Sequence, residues 1–526
     1  MEPVLIFDTT LRDGTQGENI SFSPDDKIKV AQRLDDMGIH YIEGGWPGSN
    51  PAADRFFELA RDTQFATARI TAFGSTRRQG VPAGEDANLQ ALIACGSPAI
   101  TLFGKTWDLH VVDIMGNTLS ENLAMIEESV AFLKSHGREV LYDAEHFFDG
   151  YKANPEYAIQ TLKASLSGGA DFVVLCDTNG GTLPHEVSEI LDTVKSRLDA
   201  ESGRDIRMGI HAHNDCNVAV ANSIAAVQAG AAMVQGTING YGERCGNTDL
   251  TSVIPILNLK LKRPCVSEEN LKKLKPLSRF VSETSNMIPL ASRPFVGKSA
   301  FAHKGGVHVS AVMKQPLSYE HISPEDVGNK RRVLVSDQAG RSNIEYKARE
   351  MGINLDAPEF DSKRIVNEIK MLEQEGYQYE VADGSFKVLM DKFLLKYEPV
   401  FDLESFRVTI EKDKDRPCTS HAMVKVNVGG ESEITAAEGH GPVSALDNAL
   451  RKALGRFYKE LETMHLVDFK VRVMDGRGGT ESKVRVLIES RDGDDIWSTI
   501  GVSEDIIEAS FEALADSFQY KLVQKK

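Results

Sequence analysis

The chain is poor in cysteine, in long apolar runs and in positive charge. Its six cysteines (Cys95, Cys176, Cys216, Cys245, Cys265 and Cys418) are scattered over 526 residues without a CxxC pair. That spacing speaks against structural zinc and against a disulfide framework, and it suits a reducing cytoplasm. No run of about 18 uncharged apolar residues occurs, so no membrane span is expected. The opening residues have neither a basic n-region nor a small-residue cleavage site, and they read as a first strand rather than a signal peptide. Sixty Lys and Arg face 77 Asp and Glu, a net charge of -17. Such a surface repels phosphate backbones, so no nucleic-acid partner is expected. A small anionic substrate stays compatible, because a site can be positive inside a negative molecule.

The first run of apolar residues does not lead into a Gly-rich dinucleotide loop. A repeating pattern occupies the first half of the chain instead. Eight short apolar runs, Val4–Phe7, Tyr41–Gly44, Ile70–Phe73, Ala99–Phe103, Val140–Ala144, Phe172–Cys176, Met208–His211 and Met233–Ile238, read as strands. Amphipathic helical stretches lie between them. Ser23-Pro24, Asn50-Pro51 and Asn154-Pro155 place a capping residue before a first-turn proline, and Gly38, Gly137 and Gly230 sit where helices should end. Strand–helix units at intervals of roughly 30–40 residues predict a parallel (β/α)8 barrel, a TIM barrel, over residues 1–265. An open doubly wound sheet is the rival arrangement.

Residues 266–397 lose the alternation and read as a helical connector. Helices are expected at Glu268–Asn286, Asn343–Met351, Ser362–Glu375 and Ser385–Leu394, with a polar loop through His308. Residues 398–526 turn β-rich after a charged break or hairpin at Glu411–Pro417. His421–Val428 alternates as a strand, and Val443, Leu446, Leu450, Leu454 and Phe457 fall at helical spacing. The pattern recurs with Phe469–Val473, Lys483–Ile488 and Ile496–Ile500, then a helix through Ile507, Phe511, Leu514 and Phe518. We expect an internally duplicated α+β domain.

In a barrel, functional groups gather at the C-terminal ends of strands. Those ends here carry Asp8, Arg12, Asp13 and Gln16, then Glu43, Glu145-His146, Asp177-Thr178-Asn179, His211-Ala-His213-Asn-Asp215, and Asn239, Glu243 and Asn247. His211 and His213, two apart on a strand, face the same way and can reach one metal; hydrogen-bonded filler is the plainer alternative. Asp13 would add a carboxylate and Asn247 an amide oxygen, a mixed set that suits Mn2+, Mg2+ or Zn2+. Arg12 beside Asp13 is either a surface ion pair or a fork that holds a carboxylate or enolate oxygen. Glu145 reads as a salt-bridged carboxylate or as a proton-transfer group. Phe301–His308, with its Gly-Gly between histidines, is a solvated loop or one that closes over a site.

Three stretches together resemble the signatures of the 2-isopropylmalate, homocitrate and citramalate synthases. They are Asp8-Thr-Thr-Leu-Arg12-Asp13-Gly-Thr-Gln16, His211-Ala-His213-Asn-Asp215 and Asn239-Gly-Tyr-Gly-Glu-Arg-Cys-Gly-Asn247. Phe301–His308, Tyr319–Gly328 and Gly439–Leu446 extend the likeness through the connector into the family's allosteric domain. The resemblance implies a divalent metal on Asp13, His211, His213 and Asn247, chelated by the carboxylate and keto oxygens of a 2-oxo acid. Arg12 would stabilise the oxygen that becomes the product alkoxide, and Thr178 would contact the substrate carboxylate. Arg12, Gln16, Leu102, Asp143 and Thr178 would line the substrate pocket. Glu145, His308 and Tyr319 would serve deprotonation of the acetyl-CoA methyl and later thioester hydrolysis. His308 would come from a neighbouring subunit, so a homodimer is implied.

Glu43–Pro51 resembles the longer, pyruvate-using subgroup, and Leu102 with Asp143 would shorten the pocket to fit a methyl group. The C-terminal domain would bind a pathway end product, isoleucine by resemblance, or serve only dimerisation; Asp475–Gly479 is an effector loop or a hairpin. The competing readings are a larger 2-oxo acid as substrate, an acyl-CoA lyase on the same barrel, and a regulatory protein with an inactive barrel.

Overall fold

A computed structural model describes residues 3–203, 205–336, 339–356, 360–394, 397–415, 417–474, 482–493 and 495–523. Eight parallel strands close into a barrel in sequence order: β1 (Leu5–Asp8), β2 (Tyr41–Gly45), β3 (Arg69–Ser75), β4 (Ala99–Lys105), β5 (Glu139–Glu145), β6 (Phe172–Asp177), β7 (Met208–Ala212) and β8 (Met233–Gly236). β1 pairs with both β2 and β8, which removes every edge. All eight expected strands form. β8 stops short of Ile238 because the chain turns there, with Asn239 in the left-handed region at φ 67°.

Strand alternation sorts the side chains into two layers. Phe7, Tyr41, Ala99, Leu141, Phe172, Val174, Cys176 and Met233 fill the barrel interior. The intervening residues, among them Ile42, Ile100, Leu102, Tyr142 and Val173, belong to the larger core that the helices cover. Burying each such side chain contributes about 1.5–3 kcal/mol, so the barrel is held by both layers together. The helix signals act as expected. The Ser23 hydroxyl accepts from the Asp26 N–H in a reciprocal capping box, Asn50 accepts from Ala53, and Asn154 accepts from Tyr157. Gly38, Gly137 and Gly230 adopt positive φ, which side chains resist.

The chain packs as two compact units, 1–301 with 321–331, and 302–320 with 332–526. In the first unit the expected helix over 268–286 is broken into Glu268–Leu271 and Leu274–Thr284. Gly328 packs its backbone against the Lys272 carbonyl at the break, where any Cβ would collide. The longer piece is tied to the rim of the barrel: Asn239 Nδ2 donates to the Ser278 carbonyl at 2.9 Å and to Ser282 Oγ at 3.0 Å.

In the second unit the expected polar loop through His308 is a helix, Gly306–Lys314. Its buried Val309 and Val312 stand three residues apart, an apolar contact that a solvated loop would forfeit. Helices Arg341–Glu350, Ser362–Glu375 and Asp383–Phe393 lie close to expectation. Two three-stranded antiparallel sheets come next, each followed by a helix: Asp402–Glu411, Thr419–Val428 and Glu431–Gly439 before Pro442–Leu454, then Met464–Val473, Val484–Asp492 and Asp495–Ser503 before Ile506–Val523. The duplication holds, and one core joins both copies through Val424, Val426, Leu446, Leu450, Ile488 and Phe518. Asp475–Gly479 lies outside the described residues. Among the described residues no helix is long and apolar enough to cross a membrane.

Candidate metal centre and active site

The C-terminal ends of β1 and β7 bring the strongest candidates together. Asp13 opens a tight turn, Asp13–Gln16, just past β1, while His211 lies on β7 and His213 comes directly after it. His213 bridges to Asn247 across antiparallel backbone, so the loop after β8 folds back over β7. Gly242 and Gly246 permit that fold: a Cβ on either would strike the Asn247 amide oxygen or the Gly240 carbonyl.

Asp13, His211 and His213 are all buried, and their ligating atoms lie within 4.8 Å of one another. Asp13 Oδ2 is 3.2 Å from His211 Nε2, and the two histidine Nε2 atoms are 3.4 Å apart. Asn247 Nδ2 donates to Asp13 Oδ2 at 2.7 Å and approaches His211 Nε2 at 3.2 Å. Its Oδ1 is buried without a hydrogen-bond partner. A half-turn of the amide, which exchanges two atoms of nearly equal size, brings that oxygen to the shared centre. The orphaned oxygen, two converging imidazole nitrogens and a carboxylate fit a divalent cation well.

The electrostatics agree. Burial alone would raise the Asp13 pKa, yet Arg12 and the two histidines outweigh it and hold the carboxyl well below its usual range. Burial, reinforced by His211, pushes His213 down to about 4, which keeps its ring neutral. Burial opposes a charge on His211, but Asp13 prevails and the net direction is upward.

Arg12 is no loose surface pair. Its Nε donates to Glu43 Oε2 at 2.6 Å, an Nη lies 3.5 Å from Asp13 Oδ1, and the guanidinium sits 3.8 Å over the Phe73 ring. Glu43 is fully buried, and its other oxygen has no hydrogen-bond partner. Phe73 stacks on Phe103 with centroids 5.1 Å apart, and Trp46 meets both edge-on at 5.6 Å. Arg12 therefore stands between a carboxylate floor and an aromatic wall.

The other candidates fall in different places. Glu145 ends β5 in an ion pair with Lys105, the last residue of β4. Thr178 Oγ accepts from the His146 backbone N–H at 2.9 Å. Asp143 lies inside the barrel, where Gln235 Nε2 donates to it at 3.0 Å and burial pushes its pKa up to about 7. Gln16 is exposed at the end of the first-strand turn. Leu102 requires a correction. It is fully buried in the barrel–helix core, on the opposite face of β4 from Thr101 and Phe103, so it cannot shorten a pocket at the mouth. Within the second unit, His308 and Tyr319 stack with centroids 4.3 Å apart, both exposed.

Two groups carry no clear mark in the sequence. Gln235 links His211 to Asp143, and a glutamine inside an otherwise apolar strand is the one signal that could have found it. Phe73 and Phe103 look like ordinary core residues, and nothing in the sequence separates a pocket wall from packing.

A closed β/α barrel with a His-x-His pair and a first-strand carboxylate converging at its mouth, followed by a duplicated sheet–helix domain, defines a barrel protein with a candidate metal centre at the C-terminal ends of its strands. Family models agree along the chain: HMGL-like over residues 3–281, homocitrate synthase post-HMGL domain-like over 295–377, and LeuA allosteric (dimerisation) domain over 380–522. An (R)-citramalate synthase of Aquifex aeolicus is 54% identical across 99% of this chain and 98% of its own. One of Geobacter sulfurreducens is 53% identical, again across 99% and 98%. A 2-isopropylmalate synthase of Methanocaldococcus jannaschii is 31% identical across 99% of this chain and 95% of its own. The chain belongs to the (R)-citramalate synthase family and is an acyltransferase.

Proposed function

We propose that the protein condenses acetyl-CoA with pyruvate and water to give (R)-citramalate and CoA, a step toward isoleucine. The observation that carries this reading is the convergence of Asp13, His211 and His213 beside Arg12, in a chain more than half identical to (R)-citramalate synthases over nearly full length. Relatives named (R)-citramalate synthase stand at 46–54% identity and those named 2-isopropylmalate synthase at 31–32%, which favours the smaller 2-oxo acid.

Asp13, His211, His213 and Asn247 would hold a divalent cation, whose Lewis acidity would polarise the keto group. Mn2+, Mg2+ and Zn2+ all suit the donor set. Arg12, fixed by Glu43 and by the Phe73 face, would meet the oxygen on which negative charge develops. Its orientation is set before substrate arrives, so little reorganisation is needed at the moment of reaction. Thr178 and Gln16 would bind the pyruvate carboxylate. The pyruvate methyl would face the aromatic wall of Trp46, Phe73 and Phe103, with Asp143 on the neighbouring strand.

A proton must leave the acetyl methyl, a carbonyl carbon must be attacked, and water must then cleave the thioester. Glu145, His308 and Tyr319 would share the proton transfers. His308 and Tyr319 would be supplied by the partner in a homodimer, for which the LeuA-type domain is suited. We assign residues 1–265 to catalysis, 266–397 to the connector and 398–526 to regulation, with isoleucine as the effector and the cytoplasm as the site of action.

The test is release of free thiol from acetyl-CoA with pyruvate, with 2-oxoisovalerate and with no oxo acid. Pyruvate-dependent release is expected. Equal release with 2-oxoisovalerate would overturn the substrate assignment, release without any oxo acid would point to a thioesterase, and no release with any oxo acid would favour a lyase or an inactive barrel.

A further inference from the structure

Alternation along β2 and its continuation would set Glu43 and Trp46, three residues apart, on opposite faces. Both nevertheless face the site: Glu43 holds Arg12, and Trp46 meets Phe73 and Phe103. One extra residue reconciles them. Glu43 pairs with Thr71 and Gly45 with Ala72, so Gly44 is an inserted residue, a β-bulge. Without it the phase would slip by one and Trp46 would turn outward. Bulges are frequent at barrel rims and beside active sites, where they re-aim side chains.

The bulge is held from behind. Phe56, on the helix Pro51–Asp62, stands so close that a Cβ on Gly44 would lie 1.8 Å from its ring. Gly45 takes φ 155°, a conformation that side chains resist. The Gly44 carbonyl accepts from Lys27 Nζ at 3.0 Å. Lys27 is half-buried on the helix Pro24–Met37, with Nζ 5.9 Å from the centre of the Phe56 ring. Among the described residues no carboxylate pairs with that ammonium. Taking an unpaired ammonium out of water is costly, and an apolar side chain would serve packing better. The charge is also felt at the site. Burial, and then Arg12, push the Lys27 pKa down to about 8, while Glu43 opposes them.

We propose that Lys27 is a positioning residue that also sets substrate size: by holding the Gly44 carbonyl it fixes the bulge that turns Glu43 toward Arg12 and Trp46 toward the aromatic wall. It acts through those two side chains, from outside the pocket. The inference rests on the acyltransferase reading, in which Trp46 faces the alkyl group of the oxo acid, and adds to it the residue that keeps that wall in register.

Fluorine NMR of the full-length protein labelled with 5-fluorotryptophan tests it. The chain has three tryptophans, Trp46, Trp107 and Trp497, and Trp46→Phe identifies the signal of the first. Lys27→Met keeps the aliphatic stem and removes the ammonium. It should shift the Trp46 signal and leave the other two in place. In the same variant kcat with pyruvate should fall by about tenfold, the scale of one charged hydrogen bond, with the KM for acetyl-CoA unmoved. The ratio of kcat/KM for 2-oxobutyrate over pyruvate should rise by about fivefold, the low end of what one methylene commands. Lys29→Met, an exposed change on the same helix, should alter none of these. An unmoved Trp46 signal in folded Lys27→Met would overturn the inference, as would a shift of all three signals with equal losses toward both oxo acids. Where Lys27→Met does not fold, Lys27→Arg, which keeps a charged donor, decides: a wild-type Trp46 signal supports the inference and a displaced one overturns it. Because the signal is read without turnover, the two readings fail separately. The expected shift with no pyruvate-dependent thiol release sinks only the proposed reaction, and normal turnover with an unmoved signal sinks only this inference.

Discussion

Gln235 fixes which nitrogen of His211 faces Asp13. Its amide nitrogen is committed to Asp143, so its oxygen accepts from His211 Nδ1 at 2.8 Å, and the lone pair of Nε2 is left pointing into the cluster. A ligating histidine held through its other nitrogen is both oriented and more basic. Gln235→Leu should therefore lower metal affinity by about 10–100-fold while the barrel stays folded. Competition with a fluorescent chelator measures the affinity, and circular dichroism checks the fold. Undiminished affinity would show that His211 is held by other means.

Arg12 should tolerate no cation of different shape. A lysine cannot donate to Glu43, approach Asp13 and lie flat on Phe73 at once. Arg12→Lys is expected to reduce kcat by about 10²–10³, the loss seen when one preorganised donor is removed from a developing oxyanion. Steady-state kinetics should show most of the effect in kcat rather than in the KM for acetyl-CoA.

The aromatic wall sets the size of the alkyl group. Phe103→Ala removes a ring stacked on Phe73 and opens space beside Asp143. The ratio of kcat/KM for 2-oxobutyrate over pyruvate should rise by about tenfold or more, because one methylene contributes about 1–3 kcal/mol of discrimination. The matching change at Leu102 should leave that ratio alone, since Leu102 faces the helices. An unaltered preference in Phe103→Ala would place the methyl group elsewhere.

Sharing of sites between subunits has its own signature. Asp13→Asn and His308→Ala should each be inactive alone. Mixed and allowed to exchange protomers, they should recover roughly a quarter of wild-type activity, because random pairing makes half the dimers mixed and each mixed dimer has one complete site. No recovery after demonstrated exchange would put His308 and Asp13 to work within one chain.

The barrel is legible because its strands are buried on both faces and read as unbroken apolar runs between capped helices. The same physics hides two strands of the C-terminal domain. Glu431–Gly439 is mostly polar, and its Ile434 is exposed, so no apolar alternation marks it. Asp402–Glu411 spreads its apolar residues over half-exposed positions. Asp13, His211, His213 and Asn247 can be picked out because polar groups at strand ends have no packing role to explain them. Leu102 misleads because its place on the fourth strand is right and its direction is not. Alternation reverses with one residue, and an apolar strand carries no mark of which face turns inward. Gly306–Lys314 reads as a loop from its glycines and histidines, although Val309 and Val312 already have helical spacing.

The most direct measurement is metal stoichiometry tracked alongside activity. Protein stripped with a chelator and titrated with Mn2+, read by electron paramagnetic resonance and by pyruvate-dependent thiol release in the same samples, should bind one ion per chain and regain activity in proportion to occupancy. His211→Ala and His213→Ala should do neither. Full turnover by the stripped protein before any ion is added would contradict the account.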